Sequence, residues 1–227
     1  MSDIFNQKIL KHVEIFDHII WDWNGTLMND LQIAVDAVNV MLTENFLSPV
    51  DVNTYKQVFG FPIKTYYEKV GFDLNKLSFE KLCDRFVEEY NHKRARTASL
   101  FHGIPELLSE IKKNKTQSIL SAAEQNHLHE ITDHFGLTDH FHHRFGINDF
   151  FATSKIDRGH QLIKHTGIES KKTILIGDTD HDFEVAEALG VNCLLISDGH
   201  QSEDRLLALT SNVVSRDQFS NKATVCS

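Results

Sequence analysis

Four short apolar runs, separated by stretches of helical period, constrain the fold of this chain more than any other feature. "HIIWDW" (18–23), "QSILSA" (117–122), "KTILIGD" (172–178) and "VNCLLIS" (191–197) are each long enough for a strand and too short for a helix. Strands buried on both faces of a parallel sheet read as unbroken runs of this kind. "DFF" or "FFAT", at 149–153, is a fifth candidate. Helical patterns lie between the runs. "IPELLSEIKK" places apolar residues at 104, 107, 108 and 111, with Pro105 in its first turn. "AEQNHLHEITDHFG", "GHQLIKHTG" and "DHDFEVAEALG" end on Gly136, Gly167 and Gly190, where a glycine closes a helix in left-handed backbone. The alternation predicts an α/β fold: a doubly wound, Rossmann-like parallel sheet covered by helices.

One stretch breaks the alternation. From Asp30 to Thr97 no strand is convincing, while "DLQIAVDAVNVMLTENF", "IKTYYEKVGF" and "SFEKLCDRFVEEYNHKRAR" all read as helices, with Asp30 as an N-cap and turns at Pro49 and "GFP" (60–62). The expected organisation is therefore an α/β core of residues 1–29 and 98–227, with an all-helical insertion at 30–97. Val38, Leu42 and Phe46 are assigned to the core of that insertion. The N-terminal "MSDIFNQKILKHVEIFD" is read as a short amphipathic helix packed in cis or at a dimer contact, so monomer and homodimer are both open.

Charge limits the partners. The formal net charge is −9 and no basic stripe stands out, which gives nucleic-acid binding no electrostatic support. No run of about 18 apolar residues suggests a membrane span. Cys83, Cys193 and Cys226 are few and widely spaced, which fits a reducing, cytoplasmic setting. An anionic substrate would be repelled at long range and would need local cations.

Polar residues gather at the carboxyl ends of the proposed strands, where open parallel sheets bind ligands. Asp22 ends the first run, Ser121 the second and Asp178 the third; Asp182 follows four residues later, and Lys155 follows "FFATS". A carboxylate nucleophile, a hydroxyl, an ammonium and an acidic pair suit phosphoryl transfer. An aspartate attacks phosphorus, and oxygen ligands hold Mg²⁺, a hard cation that offsets the phosphate charge.

"DWNGTL" together with "GDTDHD" resembles the first and last motifs of the haloacid dehalogenase superfamily, with Ser121 and Lys155 where its second and third motifs belong. The resemblance runs from about His18 to about Ser202, and the helical insertion resembles that superfamily's helical cap. The phosphoglycolate phosphatase-like branch is the most similar, supported by "FGFP" and "YYEKVGF". The resemblance implies a Mg²⁺-dependent phosphatase acting on a small phosphorylated metabolite. Asp22 would be the nucleophile and a metal ligand, and Asn24 would lend its backbone carbonyl to the metal. Thr26 and Ser121 would hold phosphoryl oxygens. Lys155 would stabilise the charge around the nucleophile and phosphate. Asp178 would bind the metal directly, and Asp182 directly or through water.

Asn24 departs from the pattern. Phosphatases of this family usually carry a second aspartate there as general acid and base, and an amide cannot transfer that proton. Such help is typically worth about 10²–10⁴-fold. Three alternatives follow: an impaired protein that binds phospholigands or a partner, a rescue by His181, or a phosphonatase-type hydrolase with a Schiff-base lysine at Lys64 or Lys56. Lys64 is also a candidate for the substrate's distal end. A dehalogenase is disfavoured, because the carboxylates of "GDTDHD" suit a metal that reaction does not use. The histidines of 127–146 are read as solvated, and the basic run "HKRARTAS" (92–99) as a solvated helix end.

Overall fold

The computed structural model describes residues 4–147 and 155–216. In chain order the elements are α1 (Ile4–Val13), β1 (His18–Trp21), α2 (Leu31–Glu44), α3 (Val52–Val58), α4 (Ile63–Lys69), α5 (Phe79–Thr97), α6 (Ile104–Lys112) and β2 (Thr116–Glu124). They continue with α7 (Gln125–His134), β3 (His143–Ile147), α8 (Lys155–Thr166), β4 (Thr173–Gly177), α9 (Asp180–Leu189), β5 (Asn192–Ile196), α10 (Glu203–Leu207) and β6 (Val213–Val214). The six strands pair in the order β3-β2-β1-β4-β5-β6, and every pairing is parallel.

The apolar runs become strands because both faces of the sheet are covered. Ile19, Trp21, Ile119, Ile174 and Ile176 pack on one side with α1 and α6. Ile20, Leu120 and Leu175 point the other way, against Leu162 of α8 and Val185 of α9. That alternation is the two-residue pleat of a strand. The amphipathic N-terminal segment packs in cis: Phe5, Ile9 and Val13 of α1 enter the first cluster.

Two strands escaped the sequence reading, and both lie at edges. β3 reads "HRFGI", half-buried over its first three residues, and β6 is only two residues long. An edge strand carries a mixed sequence because one side faces solvent or a loop. The expected strand candidate at 149–153 lies outside the described residues.

Residues 31–97 form α2 to α5, which bury their own cluster around Val38, Leu42, Tyr66, Tyr67 and Leu82. Two details differ from expectation. Phe46 is 99% exposed rather than core, with φ of 58°, at the residue that closes α2. Asp30 precedes α2 but makes no capping hydrogen bond; its carboxylate turns toward the sheet instead. Cys83 and Cys193 are free thiols. Among the described residues no helix is long and apolar enough to cross a membrane.

Candidate active site

Register brings the polar residues together. His18 pairs with Thr116 and Thr173, and Trp21 with Ile119 and Ile176, so the central strands end level. Asp22 follows Trp21 directly, Ser121 lies two residues past Ile119, and Asp178 two past Ile176. The β2–β3 pairing shifts register between Leu120 and Glu124, an irregularity of the kind that re-aims side chains beside active sites.

Lys155 opens α8 and is 3% exposed. Its Nζ donates to Asp22 Oδ1 and to Asp182 Oδ1, both at 2.6 Å. The second Asp182 oxygen accepts from Thr179 Oγ1 at 2.7 Å and from the Thr179 and Asp178 N–H groups. Thr179 and Asp182 form a capping box on α9, so one side chain starts the helix and anchors the lysine. Asp178 accepts from Thr26 Oγ1 at 2.9 Å and from the His200 N–H at 2.6 Å.

Ligand atoms of Asp22, Asp178 and Asp182 lie within 4.8 Å of one another, and all three residues are buried. Burial pushes the Asp22 carboxyl up; Lys155 opposes this, and Asp182 and Asp178 reinforce it. Burial likewise raises Asp178 to about 6, against the pull of His200. Lys155 pairs with two of the three carboxylates, Asp22 and Asp182, and leaves Asp178 without an ammonium partner, an excess of negative charge that suits a divalent cation. An all-oxygen, carboxylate-rich donor set is the kind that Mg²⁺ takes. Asp22 and Asp178 would hold it, with Asp182 alongside.

Gly25 is demanded by this geometry. Its φ is +70°, and a Cβ there would stand 2.3 Å from Asp178 Oδ2 and 2.6 Å from His200 Cδ2. The Asn-Gly pair thus lets the chain turn tightly against the carboxylates.

The remaining expected residues separate. Ser121 is 1% exposed, accepts from the Ala123 N–H, and lines the cavity above Asp22. Thr26, expected to hold a phosphoryl oxygen, is fully buried, is not among the cavity-lining residues, and gives its hydroxyl hydrogen to Asp178. His181 is not among the lining residues either; it packs against Phe61 and reaches Glu184. Lys56 donates to the Ser197 carbonyl and Lys64 is exposed, and neither lines the cavity. The Schiff-base reading and the distal-end role for Lys64 lose their lysine.

A network missed from sequence surrounds Asn24. Its Nδ2 donates to Asp30 Oδ2 and to Tyr90 Oη, both at 2.7 Å. Tyr90 donates to the same Asp30 oxygen at 2.6 Å. The other Asp30 oxygen accepts from the Gly25 N–H at 2.8 Å and faces His200 Nε2 at 3.2 Å. Burial opposes the charge on Asp30, but His200 and these hydrogen bonds outweigh it and hold the carboxyl below its ordinary range. Burial opposes the charge on His200 too, yet Asp30 raises it to about 9. His200 follows the carboxyl end of β5, so the register logic that found Asp178 also points to it. Asp30 was hidden because an aspartate before a helix reads as a cap.

Above the carboxylates lies a cavity of about 270 Å³, walled on the far side by residues of α2 to α5. Gln201 and Arg205 hold the Phe59 carbonyl and so tie the α3–α4 loop to the sheet side. Arg94 and His127 also line the cavity, which corrects the reading of both segments as wholly solvated. The Arg94 Nε is buried without a hydrogen-bond partner.

Residues 19–196 match the model of the haloacid dehalogenase-like hydrolase family. Among curated relatives, the phosphoglycolate phosphatase of Caulobacter vibrioides is 24% identical over 192 residues, covering 82% of this chain and 81% of the relative. The phosphoglycolate phosphatase of Rhodospirillum rubrum is 24% identical over 196 residues, with the same coverage of each. A haloacid dehalogenase-like hydrolase from Streptococcus pneumoniae superposes with a TM-score of 0.74 at 20% identity, over 90% of this chain and 95% of that one. The match spans the strands that carry Asp22, Ser121 and Asp178, and the chain belongs to the haloacid dehalogenase-like hydrolases.

Proposed function

We propose that this chain is a Mg²⁺-dependent phosphatase that hydrolyses a small phosphate monoester through an aspartyl-phosphate on Asp22, with residues 30–97 as a cap over the site. The observation that carries it is the cluster of three buried carboxylates, two of them paired to one buried lysine, at the carboxyl ends of β1 and β4. Asp22 is the nucleophile in this reading. Lys155 holds its carboxylate in place and offsets charge as the phosphoryl group arrives. The Ser121 hydroxyl, on the cavity wall, takes a phosphoryl oxygen. The metal, when bound, neutralises phosphate and carboxylate charge so that two anions can meet. The cap helices keep bulk water from the aspartyl-phosphate until the leaving group has gone.

The relatives' named activity makes phosphoglycolate the reference substrate. The test is turnover of phosphate esters with and without Mg²⁺, with hydroxylamine trapping of an acyl-phosphate. Metal-dependent turnover that Asp22→Asn abolishes supports the reading, and turnover that survives Asp22→Asn refutes it. A second reading, a binding protein with little turnover, draws on Asn24, whose amide is held by Asp30 and Tyr90 and cannot carry a proton. Tight phosphate binding with no release of product would favour it.

A further inference from the structure

We infer that the site is built for aryl phosphates, monoesters of phenols whose ring fills the cavity and whose phenolate leaves without a proton donor. The inference rests on the phosphatase reading and names its substrate class.

The first observation is the wall. Phe59, Phe61, Tyr66 and Phe86 of the helical insertion line the same cavity as Asp22, with Trp23 from the sheet side. The phenylalanine and tyrosine rings already meet edge to face: Phe59 and Phe61 at 5.9 Å and 70°, Phe59 and Tyr66 at 5.2 Å and 73°. A further aromatic ring extends that packing favourably. Phosphoglycolate has no ring, so its short chain would leave that aromatic wall without a partner. Arg94 is the one cation that α2 to α5 supply among the described lining residues. Its unpartnered Nε can donate to an acceptor on the ring.

The second observation is independent and concerns the leaving group. Asn24 cannot protonate a departing oxygen. The proton carriers that touch Asn24 and Asp30 are committed: the Tyr90 hydroxyl bonds Asp30, and the His200 nitrogens face Tyr55 Oη at 3.0 Å and Asp30 at 3.2 Å. His127 and Tyr66 line the cavity outside that network. A phenol has a pKa of about 10, as tyrosine does. An aliphatic alcohol, like water, is a far weaker acid than a phenol. Phenolate therefore departs unprotonated far more readily than alkoxide.

The bonds balance. An Asp22 oxygen bonds phosphorus as the aryl P–O bond breaks, and the phenolate leaves with the electron pair. A water oxygen then bonds phosphorus as the Asp22 O–P bond breaks. The two protons of that water end on phosphate and on phenolate.

The experiment compares phenyl phosphate, benzyl phosphate and phosphoglycolate on the Mg²⁺-loaded full chain. Phenyl and benzyl phosphate share the ring and differ in the leaving oxygen. The expected kcat/KM for phenyl phosphate, which reports the step that expels the leaving group, exceeds that for benzyl phosphate by about 10²-fold or more, the scale of missing acid catalysis. The expected KM values of the two ring esters lie about tenfold below that of phosphoglycolate. Phe61→Ala, at a half-buried position in a loop, should raise KM for the ring esters more than for phosphoglycolate. Phosphoglycolate turned over as efficiently as phenyl phosphate, with loss of activity in Asp22→Asn, overturns the substrate class and leaves the phosphatase standing. Equal kcat/KM for phenyl and benzyl phosphate overturns the leaving-group argument. No turnover of any ester overturns both.

Discussion

Position 24 is an amide that faces a carboxylate. The Asn24 Nδ2 lies 2.7 Å from Asp30 Oδ2, so the two side chains form a neutral donor against a charged acceptor. An aspartate at 24 would set two carboxylates at that separation, and like charges so close cannot both ionise. Asn24→Asp alone is therefore expected to gain little on benzyl phosphate. Asn24→Asp with Asp30→Asn restores the donor–acceptor pair with the carboxylate relocated. That double variant should raise benzyl phosphate turnover by about 10²-fold in steady-state assays. Equal rates for the single and double variants would show that Asp30 does not control position 24. The Asp22–Lys155–Asp182 chain has a different logic. Lys155→Met leaves two buried carboxylates facing each other without a counter-ion. Its folded yield should recover with added Mg²⁺, measured as the unfolding temperature with and without the ion.

At the level of elements, α2 ends in a closing turn that uses an unsuited residue. The Leu47 N–H bonds the Leu42 carbonyl at 2.8 Å and the Phe46 N–H bonds that of Thr43 at 3.1 Å, with Phe46 in left-handed backbone. Glycine is the usual occupant of that position, and a residue with a Cβ loses about 1 kcal/mol or more there. The Phe46 ring is 99% exposed and returns no packing. Phe46→Gly should therefore stabilise the chain by about 1 kcal/mol in urea unfolding. A loss of stability would mean that the ring is covered in solution. The same comparison of local chemistry explains why α9 begins where it does: the Thr179–Asp182 box serves the helix and the site at once.

For the whole molecule, the buried charges set how stability follows pH. Folding raises His200 from 6.5 to about 9, so its contribution is complete below 6.5 and is lost as pH rises through about 9. Folding also raises Asp178 from 3.8 to about 6, so ionising it costs folded stability between those values. Both act in the same direction. In chelator, the unfolding temperature should fall as pH climbs from about 4 to about 9. Asp30 and Asp182 are held below their usual range and produce the opposite, acid limb only below 3.8. Added Mg²⁺ should raise the unfolding temperature more above about pH 6 than below it, because Asp178 must be ionised to bind. A Mg²⁺ effect independent of pH would place the ion elsewhere.

The sequence by itself determined the strands, because β1, β2, β4 and β5 are buried on both faces and must be apolar throughout. It determined Asp22, Ser121 and Asp178 as well, since each sits at the end of such a run. Lys155 was legible only by position, and β3 and β6 were not legible, because edge strands need not be apolar. The tertiary structure alone decided what surrounds those residues. It turned Asp30 from a helix cap into the partner of Asn24, 2.7 Å away, and drew Thr26 off to Asp178. It also set the rings of 59–86 in one cavity with Asp22, far away in sequence. Local pattern specifies which face a residue presents to its own element. Which distant group meets it depends on how the helices pack over the sheet, and no local pattern records that.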